Sequence, residues 1–159
     1  MKDCKKRRDG FIDFLKKNNM PGVENFPTFD REDCSALYIA GPGKTDKKKF
    51  YVTQFIFCNN SNVVNIQVCA CVDKKYDRNY LLELCNELNQ RYDNAAFYVG
   101  EPENTDGYWL VSKTRTLEAG DNPYLMIISA DRLMQQIAEK EFGLLDFDPE
   151  ATKVFQGQK

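Results

Sequence analysis

The ten residues VVNIQVCACV, Val63 to Val72, decide the fold. Val64, Ile66, Val68, Ala70 and Val72 alternate with Asn65, Gln67, Cys69 and Cys71. A period of two places the first set on one face of a β-strand and the second on the other. Immediately downstream the period changes. Leu81, Leu84, Cys85, Leu88 and Tyr92 recur at helical spacing, which predicts a helix from about Asp77 to Tyr92 with Asp77 as its N-cap.

Upstream, Cys34–Gly41 and Phe50–Cys58 read as two further strands. They are joined by a solvated loop containing Gly41-Pro42-Gly43 and the basic run Lys44…Lys47-Lys48-Lys49. Asn59-Asn60-Ser61-Asn62 supplies the next turn, because Asn tolerates left-handed backbone angles. Loops this short join antiparallel neighbours and not parallel ones. Before these strands, residues 5–19 read as an amphipathic helix with Phe11, Ile12 and Leu15 on its apolar side, ended by Met20-Pro21-Gly22. Val23–Asp33 reads as a connector whose Phe26 and Phe29 tuck against the core.

Downstream of the central helix, Ala95–Gly100 and Tyr108–Thr116 read as strands around a turn that holds Glu101, Glu103 and Asp106. Gly120-Asp121-Asn122-Pro123 opens a long helix that stops at Gly143, with Pro favourable in its first turn. Ile127, Ala130, Met134, Ile137 and Glu141 trace its seam, and Leu133 and Ala138 widen it. The expected architecture is α+β, with an antiparallel five-stranded sheet and elements in the order α-β-β-β-α-β-β-α. One domain is expected over residues 1–145, followed by a loosely held C-terminal tail over 146–159.

Composition narrows the function. The 159 residues suit one domain, with 42% hydrophobic and 29% charged residues and a formal net charge of -2. That charge gives no global attraction to nucleic acid or to an anionic membrane. Histidine is absent, which removes the commonest acid–base group near neutral pH and the commonest metal ligand. The N-terminus runs Lys5-Lys6-Arg7-Arg8 into Asp9-Gly10 and not into an apolar stretch, so no secretory signal is read there. The six cysteines are accordingly expected to be thiols in a reducing cytoplasm. No Cys-x-x-Cys and no calcium-loop pattern occurs, and neither metal nor cofactor is expected.

Two chemical alternatives can be drawn from the residues. Cys69 and Cys71 share a strand face and could serve a small thiol enzyme, although plain packing is the strongly favoured account of them. Lys5-Lys6-Arg7-Arg8 together with the 44–49 loop could touch phosphate, against the plainer reading of a solvated helix end and loop. Gly41-Pro42-Gly43-Lys44-Thr45 lacks the spacing of a phosphate loop. Within the central helix, Asn86 and Asn89 are poor helix formers beside Leu82. With Tyr98, and with Leu133 and Met134 of the last helix, they make the candidate surface for a partner protein.

The stretch Leu81-Leu82-Glu83-Leu84-Cys85-Asn86-Glu87-Leu88-Asn89, followed by Ala96-Phe97-Tyr98-Val99 and an Asp106-Gly107 turn into Tyr108–Arg115, resembles the bacterial YbjN family. The resemblance spans roughly residues 33–145. It implies a type III secretion chaperone-like fold, a protein-binding or regulatory role, a homodimer, and no catalytic residues to carry over. The cysteine-rich third strand, the basic loop after Gly43 and the Gly120-Asp121-Asn122-Pro123 helix entry depart from that pattern. The expectation is a non-catalytic protein-binding module.

Overall fold

A computed structural model describes residues 3–101 and 107–156. Helix α1 (Cys4–Lys17) is capped by Asp3, whose carboxylate accepts from the Lys5 and Lys6 N–H groups. Strands β1 (Thr28–Asp30), β2 (Cys34–Pro42), β3 (Phe50–Cys58) and β4 (Val63–Val72) follow. Helix α2 (Arg78–Arg91), strands β5 (Ala96–Gly100) and β6 (Tyr108–Leu117), and helices α3 (Pro123–Phe142) and α4 (Pro149–Gln156) complete the chain. Asp77 caps α2 as expected, accepting from the Asn79 N–H at 3.1 Å.

All strands join one antiparallel sheet in the order β1-β2-β3-β4-β6-β5. Among the described residues it has six strands and not five. The additional strand, β1, lies in the stretch expected to be a connector and pairs Thr28, Phe29 and Asp30 with Leu37, Ala36 and Ser35. Phe29 therefore does not tuck into the core; it faces away from the helices and is 45% exposed. The helix order also differs, because residues 149–156 of the expected loose tail form α4. Its chain is held at Asp146 and Asp148, which bond to the backbone of Asp73 and Cys71 at 2.9 Å each.

The helices α1, α2 and α3 cover one face of the sheet, here the inner face. Val64, Ile66, Val68, Ala70 and Val72 of β4 all point into it and are fully buried. Two apolar clusters fill the layer. Phe11 and Leu15 of α1 meet Leu37, Phe55, Phe57, Ile66 and Ile127 in one. Leu81, Cys85 and Leu88 of α2 meet Phe97, Leu110, Met134 and Phe142 in the other. Fully burying a side chain of this size contributes about 1.5–3 kcal/mol. No described helix is long and apolar enough to cross a membrane.

Candidate binding surface on the outer sheet face

The outer face of the sheet carries the residues that alternate with the core set. Register places Gln54 of β3 opposite Gln67 of β4, and Gln67 opposite Lys113 of β6. Tyr98 of β5 lies opposite Val111 and donates its hydroxyl to the Gln67 side-chain oxygen at 3.0 Å. Tyr38, Val52, Gln54, Gln67, Val111 and Trp109 line a cavity of about 370 Å³, with Cys69 at its floor. Its lining is aromatic, aliphatic and amide except for Glu101, and Phe155 of the last helix forms part of it; Lys113 lies across from Gln67 on the same face. A patch of this composition matches the core of protein-recognition surfaces, where aromatic residues are enriched and charges depleted.

Helix α4 covers part of this face. Asp148 caps it, accepting from the Glu150 N–H at 2.9 Å, and Pro149 occupies its first turn. Ala151 is buried, and the Phe155 ring lies 5.7 Å from that of Trp109. Val154 points outward and is 60% exposed. The signal for this helix was present in Asp148-Pro149-Glu150, a cap followed by Pro and an acidic residue.

The six residues named from sequence for a partner surface do not form one patch. Tyr98 is on the outer sheet face. Leu82 and Asn86 belong to α2 and Leu133 to α3, on the opposite side of the sheet. Met134 is fully buried among the α2, β6 and α3 residues of the core, so it is a packing residue and not an exposed contact. Its neighbour Leu133 is the exposed one, because successive helical residues point about a quarter-turn apart. Asn89 serves the fold internally. Its amide donates to the Phe97 carbonyl at 2.9 Å and accepts from the Phe97 N–H at 2.8 Å. It thereby closes part of the outer backbone edge of β5, an edge strand that would otherwise offer those groups to another chain.

The alternative chemistries find little geometry. Burial pushes the Cys69 thiol up to about 12 and the Cys85 thiol up to about 11, which opposes formation of a nucleophilic thiolate. Cys71 is also buried, beneath Gly107. Among the basic side chains, Arg7 binds Glu118 at 2.6 Å and donates to the Cys58 and Val63 carbonyls at 2.5 and 3.2 Å. Arg8 is buried and pairs with Asp9 and Asp30 at 2.7 and 2.5 Å. Lys49 donates to the Gly143 and Leu145 carbonyls at the end of α3. These three cations are engaged within the fold. Glu101 pairs with Arg78 at 2.8 Å and Asp146 with Lys75, whereas Glu103 and Asp106 lie outside the described residues. Among the described residues, no group of three or more Cys, Asp or Glu side chains could hold a metal ion.

A second cavity, of about 300 Å³, lies between the β2–β3 hairpin and α3. Burial raises the Asp131 carboxyl there to about 6, and its Oδ1 atom has no hydrogen-bond partner among the described residues. The surrounding polar groups are committed: Gln135 donates to the Thr53 hydroxyl at 2.5 Å, and Glu139 accepts from the Lys44 N–H and the Thr45 hydroxyl.

No family model matches the chain, and no curated protein matches it. Among solved structures, the chain is similar to YbjN from E. coli, a proposed transcription regulator. The two are 12% identical, the match covers 79% of this chain and 83% of that one, and the TM-score is 0.47. The resemblance read from the sequence thus meets a solved YbjN structure at the level of a distant likeness of fold. A likeness of that degree carries no argument about partner or activity.

Proposed function

We propose that this chain is a non-catalytic, cytoplasmic protein-binding module whose outer sheet face takes a polypeptide segment. The observation that supports this reading is the aromatic–amide cavity lined by Tyr38, Gln54, Gln67, Val111 and Trp109, whose lining carboxylate, Glu101, is paired with Arg78, with Tyr98 beside the cavity. Strand residues are spaced so that a segment lying across them meets side chains from several strands at once. Amide and hydroxyl groups at the centre can satisfy polar atoms of such a segment without a buried unpaired charge.

Selection of a random peptide library against the chain tests this, with Tyr38→Glu and Tyr98→Glu variants as controls. Selected peptides should bind either variant at least about ten-fold more weakly, a difference of about 1.4 kcal/mol. Peptides that bind wild type and both variants equally would place the binding elsewhere and defeat the proposal.

Self-association belongs to the same reading and uses a different surface. Leu125, Met126 and Leu133 leave an exposed apolar stripe on α3, away from the outer face. A dimer through this stripe is expected to dissociate on Leu133→Glu substitution. Light scattering that shows a wild-type monomer at micromolar concentration would remove the dimer from the proposal.

A further inference from the structure

The α4 helix lies on the outer face, with its Phe155 ring against Trp109. We infer that α4 is a displaceable occupant of that face, and that the partner segment is an amphipathic helix presenting an aromatic side chain to Trp109. This inference rests on the reading of the outer face as a polypeptide-binding surface.

Attachment of α4 is uneven along its length. Its entry is fixed by the backbone bonds of Asp146 and Asp148 and by the bridge between Val72 and Phe147. Beyond that entry, Ala151 and Phe155 supply the seat, with Phe155 on Trp109. The helix leaves the cavity of about 370 Å³ beside it unfilled. A space of that size is open to solvent, so a bulkier helix on the same seat would remove from water apolar lining that α4 leaves exposed.

An eight-residue helix is marginal in water by itself, so its order comes from the face it lies on. Its short tether holds it at an effective concentration on the order of millimolar. An occupant ordered at that concentration has an intrinsic dissociation constant below it. A separate peptide of the same sequence should therefore compete in the millimolar range or better. A helix already formed in a folded partner avoids the ordering cost and should bind more tightly. While α4 is seated, the partner meets only the fraction of molecules with an open face, and its apparent affinity falls by that fraction.

The experiment uses the full chain. The probe is a fluorescein-labelled synthetic peptide with the sequence of residues 148–159, read by anisotropy. Trp109 is the single tryptophan, so its emission reports the same seat. In Phe155→Ala the emission should shift to the red, and addition of peptide should reverse the shift. This variant should bind the peptide at least about ten-fold more tightly than wild type. Combining Phe155→Ala with Trp109→Ala should abolish binding. Equal affinity of wild type and Phe155→Ala, or no binding to the variant at several millimolar peptide, overturns the inference. Ala151→Arg is a second way to unseat the helix. Should circular dichroism show both single variants unfolded, α4 is an integral part of the fold and the inference is overturned as well. Library-selected peptides that require Tyr38 and Tyr98 but bind wild type and Phe155→Ala equally would leave the binding surface standing and remove only the displaceable helix.

Discussion

Replacing Asn89 with Ala should weaken the fold and leave any partner surface intact. The Asn89 amide makes two neutral hydrogen bonds to the Phe97 backbone, at 2.8 and 2.9 Å. Each bond of this kind contributes about 0.5–1.5 kcal/mol net. The site is partly exposed, so water replaces the lost partners, and the expected total is about 2 kcal/mol and not the larger cost of orphaned buried groups. For a chain of this size, that corresponds to a fall in Tm of about 4–8 °C. Asn89→Asp should fare no better, because it retains an acceptor for the Phe97 N–H but turns a carboxylate oxygen toward the Phe97 carbonyl. Asn86→Ala, on the exposed side of the same helix, should stay within about 0.5 kcal/mol of wild type. Urea unfolding followed by Trp109 emission and circular dichroism measures all three. An Asn89→Ala protein as stable as wild type but changed in oligomeric state would refute the assignment and return Asn89 to an intermolecular interface.

Adjacent α3 residues should respond very differently to truncation. Met134→Ala should cost about 2–5 kcal/mol by opening a core cavity, and Leu133→Ala under about 1 kcal/mol; equal effects in urea titrations would contradict the rotation of α3. The Asp131 carboxyl, raised by burial to about 6, keeps its proton in the native state where the unfolded chain has lost it. Stability should therefore fall as pH rises from about 4 to about 6, and Asp131→Asn should flatten that slope and be the more stable above it; superimposable pH profiles would refute this. Iodoacetamide near neutral pH should label Cys69 and Cys85 at least about ten-fold more slowly in the native protein than in the unfolded chain. Fast native labelling at Cys69 would instead revive a thiol chemistry.

Much of the fold was legible where one repeat dominated. Phe50–Cys58 and Val63–Val72 are strands with the expected bounds, and Asp77 and Pro123 start their helices as expected. These segments are long enough for apolar period and capping chemistry to agree. β1 was not legible, because Thr28-Phe29-Asp30 is too short to display alternation and gains its strand character only from Leu37, Ala36 and Ser35 across the pair. The insertion of β6 between β4 and β5 is likewise a long-range pairing that no local pattern encodes. For the candidate surface, the sequence offered residue types and not locations. Tyr98 was named for its aromatic and polar character, yet only the pairing with Val111 places it on the side away from α2. Asn89 stood out as unusual in mid-helix, but a side-chain amide matched to one residue of a neighbouring strand leaves no sequence signature of its partner.

The two faces of the sheet differ in chemistry. On the inner face, strong polar groups act as internal fasteners: Arg7 ties α1 to the ends of β3 and β4, and Lys49 closes the end of α3. Such cations could bind an outside anion only by giving up the contacts that position their helices. On the outer face the cavity is lined mainly by amides, a phenol, an indole and apolar side chains, with Glu101 as its charged lining residue. If the proposed segment binds there, shape and neutral hydrogen bonding supply its recognition, so binding should depend weakly on salt, in contrast to phosphate recognition. Peptides selected on the outer face should accordingly keep their affinity when salt is raised. A steep loss would show that Lys113 and Arg115, and not the Tyr38–Trp109 cavity, supply the binding.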